Sequence, residues 1–174
     1  MSTAEWVAPQ WQERLAAAGL NSPRDLLHKS PDELGLAGRW EALTKPGLGG
    51  RQRWRWILEN GDETTTIYVK RYAGARWKEQ LDRIIRQTTR HSRGWWEYSI
   101  THRLGESYVP VPVVVAAAES MASIFERRSV ILLESVPGDG FDRVWSTLRG
   151  ADAAITTGLA RHDFTTRLGR LISA

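Results

Sequence analysis

The chain has 174 residues, a formal net charge of +4, 41% hydrophobic residues and no cysteine. This length suits one domain, with or without an appendage, and is enough to bury a core. The missing cysteines exclude a disulfide framework and thiolate chemistry, and the basic charge favours anionic partners such as phosphates, nucleic acid or acidic lipid headgroups. We expect neither a signal peptide nor a membrane span, because no apolar stretch has the required length and flanks.

The first part of the chain predicts a helical N-terminal extension over residues 1–39. Three apolar residues between positions 5 and 20 have the spacing of one helical face: Trp11, Leu15 and Ala18. Ser22 and Ser30 each precede a proline and an acidic residue, which is the pattern of a capped helix start. We expect the leucines of this extension to pack on the domain that follows, and we assign no chemistry to it.

After this extension, the spacing of the residues changes from a helical pattern to the alternating pattern of strands. Strands are predicted over residues 40–44, 51–58 and 64–72. A glycine-bearing turn at 45–50 joins the first two, and the hairpin signal Asn60-Gly61-Asp62 joins the last two. Arg51, Arg53 and Arg55 alternate with other residues, so they share one face of the middle strand. These segments predict three antiparallel strands.

The third strand contains a lysine, Lys70. Side chains alternate along a strand, so Ile67 and Val69 point to one face while Tyr68 and Lys70 point to the other. A point cation on a rigid strand suits an anionic ligand such as phosphate. A solvent-facing lysine on a half-buried strand gives the same pattern, so this segment alone leaves both interpretations open.

The remaining elements are two helices, a pair of strands and two further helices. The first helix, over 73–91, carries an apolar row of Trp77, Leu81, Ile84 and Ile85. Its remaining surface carries Arg76, Lys78, Arg83, Arg86 and Arg90, a solvated face or one that meets an anionic lipid. The second helix runs to Leu104 and contains Glu97. Strands are predicted within 113–118 and 124–134 with a turn near Glu119, and helices over 141–148 and 151–172.

This order of elements is that of the small lobe of a protein kinase and its entry into the large lobe. A glycine-bearing turn lets backbone amides approach phosphates, and a strand lysine meets those phosphates as a charge. A helix glutamate holds the lysine in place, and a linker after the last strand offers backbone groups to adenine.

The sequence resembles the lipopolysaccharide kinase (Kdo/WaaP) family of bacterial kinase-like proteins. The residues that carry the resemblance are Tyr68-Val69-Lys70-Arg71-Tyr72, Trp96-Glu97-Tyr98 with Arg103-Leu104, Val109-Pro110-Val111-Pro112 and Leu132-Leu133-Glu134-Ser135-Val136. The resemblance implies an α+β fold, with a protein-kinase-like lobe of about five antiparallel strands and a helix of the αC type. It divides the chain into a helical extension (1–39), the small lobe (40–137) and a linker with the first helices of a truncated large lobe, including a long C-terminal helix (138–174).

The resemblance also assigns roles in binding ATP. Lys70 would contact the α- and β-phosphates, and Glu97 would be its ion-pair partner, although an ordinary exposed helix acid fits Glu97 equally well. Leu133 would guard the back of the adenine pocket, while the Glu134 carbonyl and the Val136 amide would bind the base. The phosphates would be covered by a turn containing Gly47, Gly49 and Gly50, which departs from the G-x-G-x-x-G spacing.

Complete members of the family transfer the γ-phosphate of ATP to a sugar hydroxyl of the lipopolysaccharide core. The only candidate for a catalytic loop here, Arg161-His162-Asp163-Phe164, has Leu168 where an asparagine is needed, and no Asp-Phe-Gly follows. We therefore expect no catalytic residue in this chain, Mg²⁺ ligands only in the missing lobe, and no phosphoryl transfer by this chain alone. The resemblance implies a cytoplasmic protein, with the lipopolysaccharide core or the inner membrane surface as candidate partners.

Two other functions fit the sequence. A nucleic-acid-binding module would use the interleaved arginines and tryptophans of residues 51–56 for phosphate contacts and base stacking, although Trp54 and Trp56 can equally face the core. A non-catalytic scaffold would keep a kinase-like lobe only for contacts with partners. Metal-site and hydrolase readings have little support, because the four histidines lack ligand spacing and no G-x-S-x-G motif occurs.

Overall fold

The computed structural model describes residues 2–43, 51–60, 63–107 and 111–136. The chain divides into two compact units, Met1–Ser135 and Val136–Ala174. All elements given below belong to the first unit, and Val136 is the described residue of the second. The glycine turn predicted at 45–50 and the helices predicted at 141–148 and 151–172 lie outside the described residues.

A six-stranded antiparallel sheet forms the centre of the first unit. Its strands are β1 (Ser2–Val7), β2 (Arg39–Ala42), β3 (Arg51–Asn60), β4 (Glu63–Ala73), β5 (Val114–Ala122) and β6 (Phe125–Glu134). They lie in the order β1-β5-β6-β4-β3-β2, so the strand that carries Lys70 is central. The predicted α+β class is confirmed, with six strands rather than about five.

Four helices accompany the sheet in the described residues. They are α1 (Gln12–Ala17), α2 (Pro31–Leu34), α3 (Trp77–Arg86) and α4 (Arg93–Glu106). Single 3-10 turns occur at Pro9–Trp11 and Asp25–Leu27. The helix start predicted at Ser30 is confirmed, since Ser30 and Glu33 form a reciprocal capping box. In the part of the chain that the structure describes, none of these helices has the length and apolar character needed to cross a membrane.

The N-terminus differs from the predicted helix over residues 5–20. Residues Ser2–Val7 form β1, which pairs with β5 in the register Glu5↔Ala118 and Val7↔Ala116. Pairing with the edge of β5 satisfies the backbone of both strands, and this outweighs a local helical preference. The helical face further along is as predicted, because Trp11, Leu15 and Ala18 are buried.

The two faces of the sheet bury different layers. Ile67 and Val69 of β4 are completely buried in the larger core against the N-terminal helical layer, which confirms the predicted alternation along β4. Arg71 also points to this side, where its guanidinium donates to the carbonyls of Leu26 and Lys29 and ties that layer to the sheet. The opposite face carries a smaller cluster that includes Tyr72 and packs against α4.

Helix α3 is oriented in an unexpected way. Trp77, Leu81 and Ile85 of its apolar row are exposed, whereas Gln80 and Arg83 are buried. The reason is hydrogen bonding, since the guanidinium of Arg83 donates to several backbone carbonyls. These belong to Thr88 and His91 at 2.7 Å each, and to Ile124. A buried charged group with this many acceptors is satisfied, so polar contacts rather than the apolar row fix the rotation of α3.

The turn between β5 and β6 also differs from expectation. It lies at Ser123, which has a positive φ of 56°, and β5 continues through Glu119 where a turn was predicted. Glu119 is only 4% exposed, and its buried carboxylate accepts hydrogen bonds from the backbone N–H of Ser92 and from Nδ1 of His91. A buried acid in a strand therefore has a structural partner that the local sequence does not reveal.

Candidate functional site

The structure brings together Lys70 and Glu97, the two residues that the sequence predicts to form an ion pair at the phosphate site. Nζ of Lys70 on β4 lies 2.5 Å from Oε1 of Glu97 on α4, and both side chains are about a quarter exposed. The pair bridges a central strand and a helix across 27 positions of the chain. An ammonium group has three N–H donors, so a lysine held by one carboxylate keeps donors for a ligand. Within the described residues, Glu97 is the one hydrogen-bond partner of this amine.

Two buried glutamates at the sheet fix the start of α4. Glu119 of β5 accepts from the backbone N–H of Ser92, the N-cap residue, at 2.8 Å. Glu126 of β6 accepts from Nε of Arg93 at 2.9 Å and from its backbone N–H at 3.3 Å. Negative charge at a helix N-terminus is stabilising, and here it also determines where α4 begins. This anchoring sets the distance from Glu97 to Lys70.

Tyr72 is a third member of this cluster. Its hydroxyl donates to Oε2 of Glu97 at 2.8 Å, so each oxygen of that carboxylate has one partner. Burial, followed by the negative charge of Glu97, raises the pKa of Tyr72 far above its ordinary value of 10.0. The phenol therefore stays protonated and acts as a fixed donor that orients Glu97 towards Lys70.

Arginines of β3 extend the positive charge on the same face of the sheet. Arg53 lies directly opposite Lys70 in the β3–β4 register, and Arg51 lies opposite Tyr72 with its guanidinium 5.5 Å from the ring centroid. Residues directly opposite in an antiparallel pair place their side chains on one face. Arg55 shares that face but forms an ion pair with Glu41. Lys70, Arg51 and Arg53 thus make a cationic strip, which suits an anionic ligand with more than one charged group.

The tryptophans that alternate with these arginines point the other way. Trp56 is completely buried, stacks on Trp40 at a centroid distance of 4.4 Å and donates from Nε1 to the Ala37 carbonyl. Trp54 packs against the larger core with the guanidinium of Arg71 4.7 Å from its ring. These two rings therefore act as core residues and do not lie beside the arginines as an exposed stacking surface.

The other predicted binding residues have varied placements. Leu133 is buried in the smaller cluster, opposite Tyr68 of β4. Glu134 ends β6, and its backbone N–H donates to the Val113 carbonyl at 2.9 Å. Val136 is 55% exposed and belongs to the second unit. The predicted phosphate-covering residues Gly47, Gly49 and Gly50 lie outside the described residues.

Sequence reasoning missed Tyr72, Glu119 and Glu126 as supporting residues of this site. The alternation of β4 places Tyr72 on the face of Lys70, so that signal was present in the sequence. Glu119 and Glu126 act across 27 and 33 positions of the chain, and only the tertiary structure brings them to α4.

A separate cleft of about 610 Å³ lies near the end of α4 and is lined by residues that include Trp6, His102 and Val114. Neither Lys70 nor Glu97 contributes to it. We assign the candidate site by the charges and hydrogen bonds of Lys70, Glu97 and Tyr72. In the described part of the chain no group of three or more histidine or acidic side chains is placed to hold a metal ion.

Comparisons of this chain with protein-family models, with curated proteins and with solved structures found no match.

Proposed function

We propose that the first unit binds the phosphates of ATP at Lys70, as the small lobe of a kinase-like protein that resembles the lipopolysaccharide kinases. The observation that carries the proposal is the ion pair between Lys70 on a central strand and Glu97 on the packed helix, 2.5 Å apart. In kinases a strand lysine and a helix glutamate form such a pair, and the lysine meets the phosphates.

Three features favour a ligand-binding role over a purely structural ion pair. Tyr72 donates to the second oxygen of Glu97 and so fixes the orientation of this carboxylate. Glu97 occupies one N–H donor of the Lys70 amine, and the other two donors can bind a ligand. Arg53 stands beside Lys70 with its guanidinium on the same face. The pair is partly exposed, so a ligand can reach it from solvent. These features support nucleotide binding, and the proposal assigns no catalytic residue to the chain.

Calorimetric titration of the full chain with Mg-ATP tests the proposal. We expect saturable binding that Lys70→Ala weakens by about tenfold or more, because a charge-assisted contact to phosphate contributes about 1.5–3 kcal/mol. Lys78→Ala is the matched control, since Lys78 is an exposed lysine on α3, and it should leave the affinity unchanged. Absence of binding by the folded intact chain would refute the proposal and favour a scaffold. Equal binding by Lys70→Ala would place the nucleotide elsewhere.

A further inference from the structure

Five large apolar side chains are exposed together on α3 and on the adjoining β5–β6 turn. We call this surface the α3 patch, and its members are Trp77, Leu81, Ile85, Ile124 and Phe125. Ile85 is 78% exposed and Trp77 is 63% exposed. The rings of Trp77 and Phe125 lie 5.8 Å apart between centroids, so the helix and the turn form one continuous surface. A contiguous exposed apolar surface of this kind marks an interaction site more often than single exposed side chains do.

The exposure of the α3 patch is built into the structure. On the opposite side of α3, the amide of Gln80 donates to the Glu126 carbonyl at 2.6 Å and its oxygen accepts from the Glu126 N–H at 3.2 Å. Arg83 is 1% exposed and is hydrogen-bonded to three carbonyls on the same side. Rotating α3 to hide its apolar row would strip these buried groups of their partners. The folded unit therefore holds the patch outward.

Cations border the patch. Lys78 follows Trp77 on α3, and Arg127 lies two residues after Phe125, at an irregularity in the pairing of β6 with β5. Both residues are exposed, and neither forms an ion pair with another described residue. The exposed acid of α3, Asp82, lies 2.8 Å from Arg86 and is neutralised by it. The border is therefore net positive.

We propose that the α3 patch docks this protein on the surface of an anionic phospholipid bilayer. A helix with a Trp-containing apolar face and basic residues at its edge lies in the plane of the membrane interface. The apolar side chains would enter the headgroup and acyl boundary, and Lys78 and Arg127 would contact lipid phosphates. A second copy of the chain fits less well, because a two-fold interface through this patch would set the same cations against each other. The proposal is independent of nucleotide binding.

Vesicle co-sedimentation of the full chain tests this docking surface. The probes are phosphatidylcholine vesicles with and without phosphatidylglycerol, at low and at physiological ionic strength. We expect binding to the anionic vesicles that weakens with salt. The combined change Trp77→Ser and Ile85→Ser should lower the affinity about tenfold or more by removing apolar insertion. The combined change Lys78→Glu and Arg127→Glu should also lower the affinity for anionic vesicles, by about fivefold or more for each cation that is replaced.

The control is Val113→Ser, which removes a side chain that is 46% exposed and lies outside the patch, and it should bind vesicles as the unchanged chain does. Thermal unfolding verifies that each variant is folded. The comparison of anionic with neutral vesicles uses the unchanged chain, so it tests the proposal even if a variant unfolds. Equal binding to both vesicle types, or no binding to either, overturns the proposal. So does a concentration-dependent dimer, measured by sedimentation velocity, that the Trp77→Ser and Ile85→Ser chain loses.

Discussion

Gly94 of α4 lies directly against Ser129 of β6. A Cβ atom on Gly94 would stand 2.8 Å from Oγ and 3.0 Å from Cβ of Ser129, and the Gly94 N–H donates to that Oγ at 3.2 Å. Ser129 is fully buried and its hydroxyl donates to Glu126, so it has little room to move. The contact sets how closely the first turn of α4, and hence Glu97, approaches the sheet.

We therefore expect Gly94→Ala to destabilise the fold by about 1–3 kcal/mol, even though alanine is the better helix former. Gly105→Ala is the matched control in the same helix, because its added Cβ would meet Val111 at an ordinary 3.6 Å. That change should be neutral or should stabilise by up to about 1 kcal/mol. Urea denaturation of both variants measures the difference. Equal effects of the two changes would contradict a close contact at Gly94.

Arg83 should be far more important for stability than its neighbour Arg86. Arg83→Met leaves the carbonyls of Thr88, His91 and Ile124 without this donor and removes one of the two cations beside the buried Glu126, so we expect a loss of about 3 kcal/mol. Arg86→Met removes an exposed pair with Asp82 and should change stability by about 0.5 kcal/mol or less. Thermal or urea unfolding provides the comparison. A mild effect of Arg83→Met would show that polar contacts do not fix the rotation of α3.

The raised pKa of Tyr72 predicts a loss of stability at alkaline pH. Because the pKa is raised in the folded state, the stabilising contribution is present below the unfolded value of 10.0 and is lost as pH rises towards the folded value. The loss above pH 10.0 is about 1.4 kcal/mol for each pH unit. Urea midpoints measured from neutral to alkaline pH should fall more steeply for the unchanged chain than for Tyr72→Phe. Parallel curves would mean that Tyr72 ionises freely in the folded protein.

Arg53 is expected to share in nucleotide binding with Lys70. If the cationic strip meets several phosphates, Arg53→Met should lower the affinity for Mg-ATP by about threefold to tenfold and reduce its dependence on salt. Arg55→Met provides the control, because Arg55 has the same type of side chain on the same face but is paired with Glu41. Titration calorimetry at two ionic strengths measures both effects. Equal losses from the two variants would argue against a localised phosphate site.

The sequence by itself determined the elements whose evidence is local. The alternation of β4 correctly gave two buried residues on one face and Lys70 on the other, and the spacing of Trp11, Leu15 and Ala18 gave the buried face of the first helical segment. The helix start predicted at Ser30 is the one where Ser30 and Glu33 form a capping box. These signals succeed because backbone periodicity and capping depend on residues only a few positions apart.

The tertiary structure alone decided which face of α3 is buried and how α4 is placed. The apolar row of α3 predicts its amphipathic character but not its rotation, which depends on carbonyls near Thr88 and Ile124 that accept from Arg83. The pairing of β1 with β5 and the anchoring of α4 by Glu119 likewise join distant parts of the chain. Such contacts depend on burial and on the pairing of hydrogen-bond donors with acceptors in the folded unit, so a local sequence pattern does not predict them.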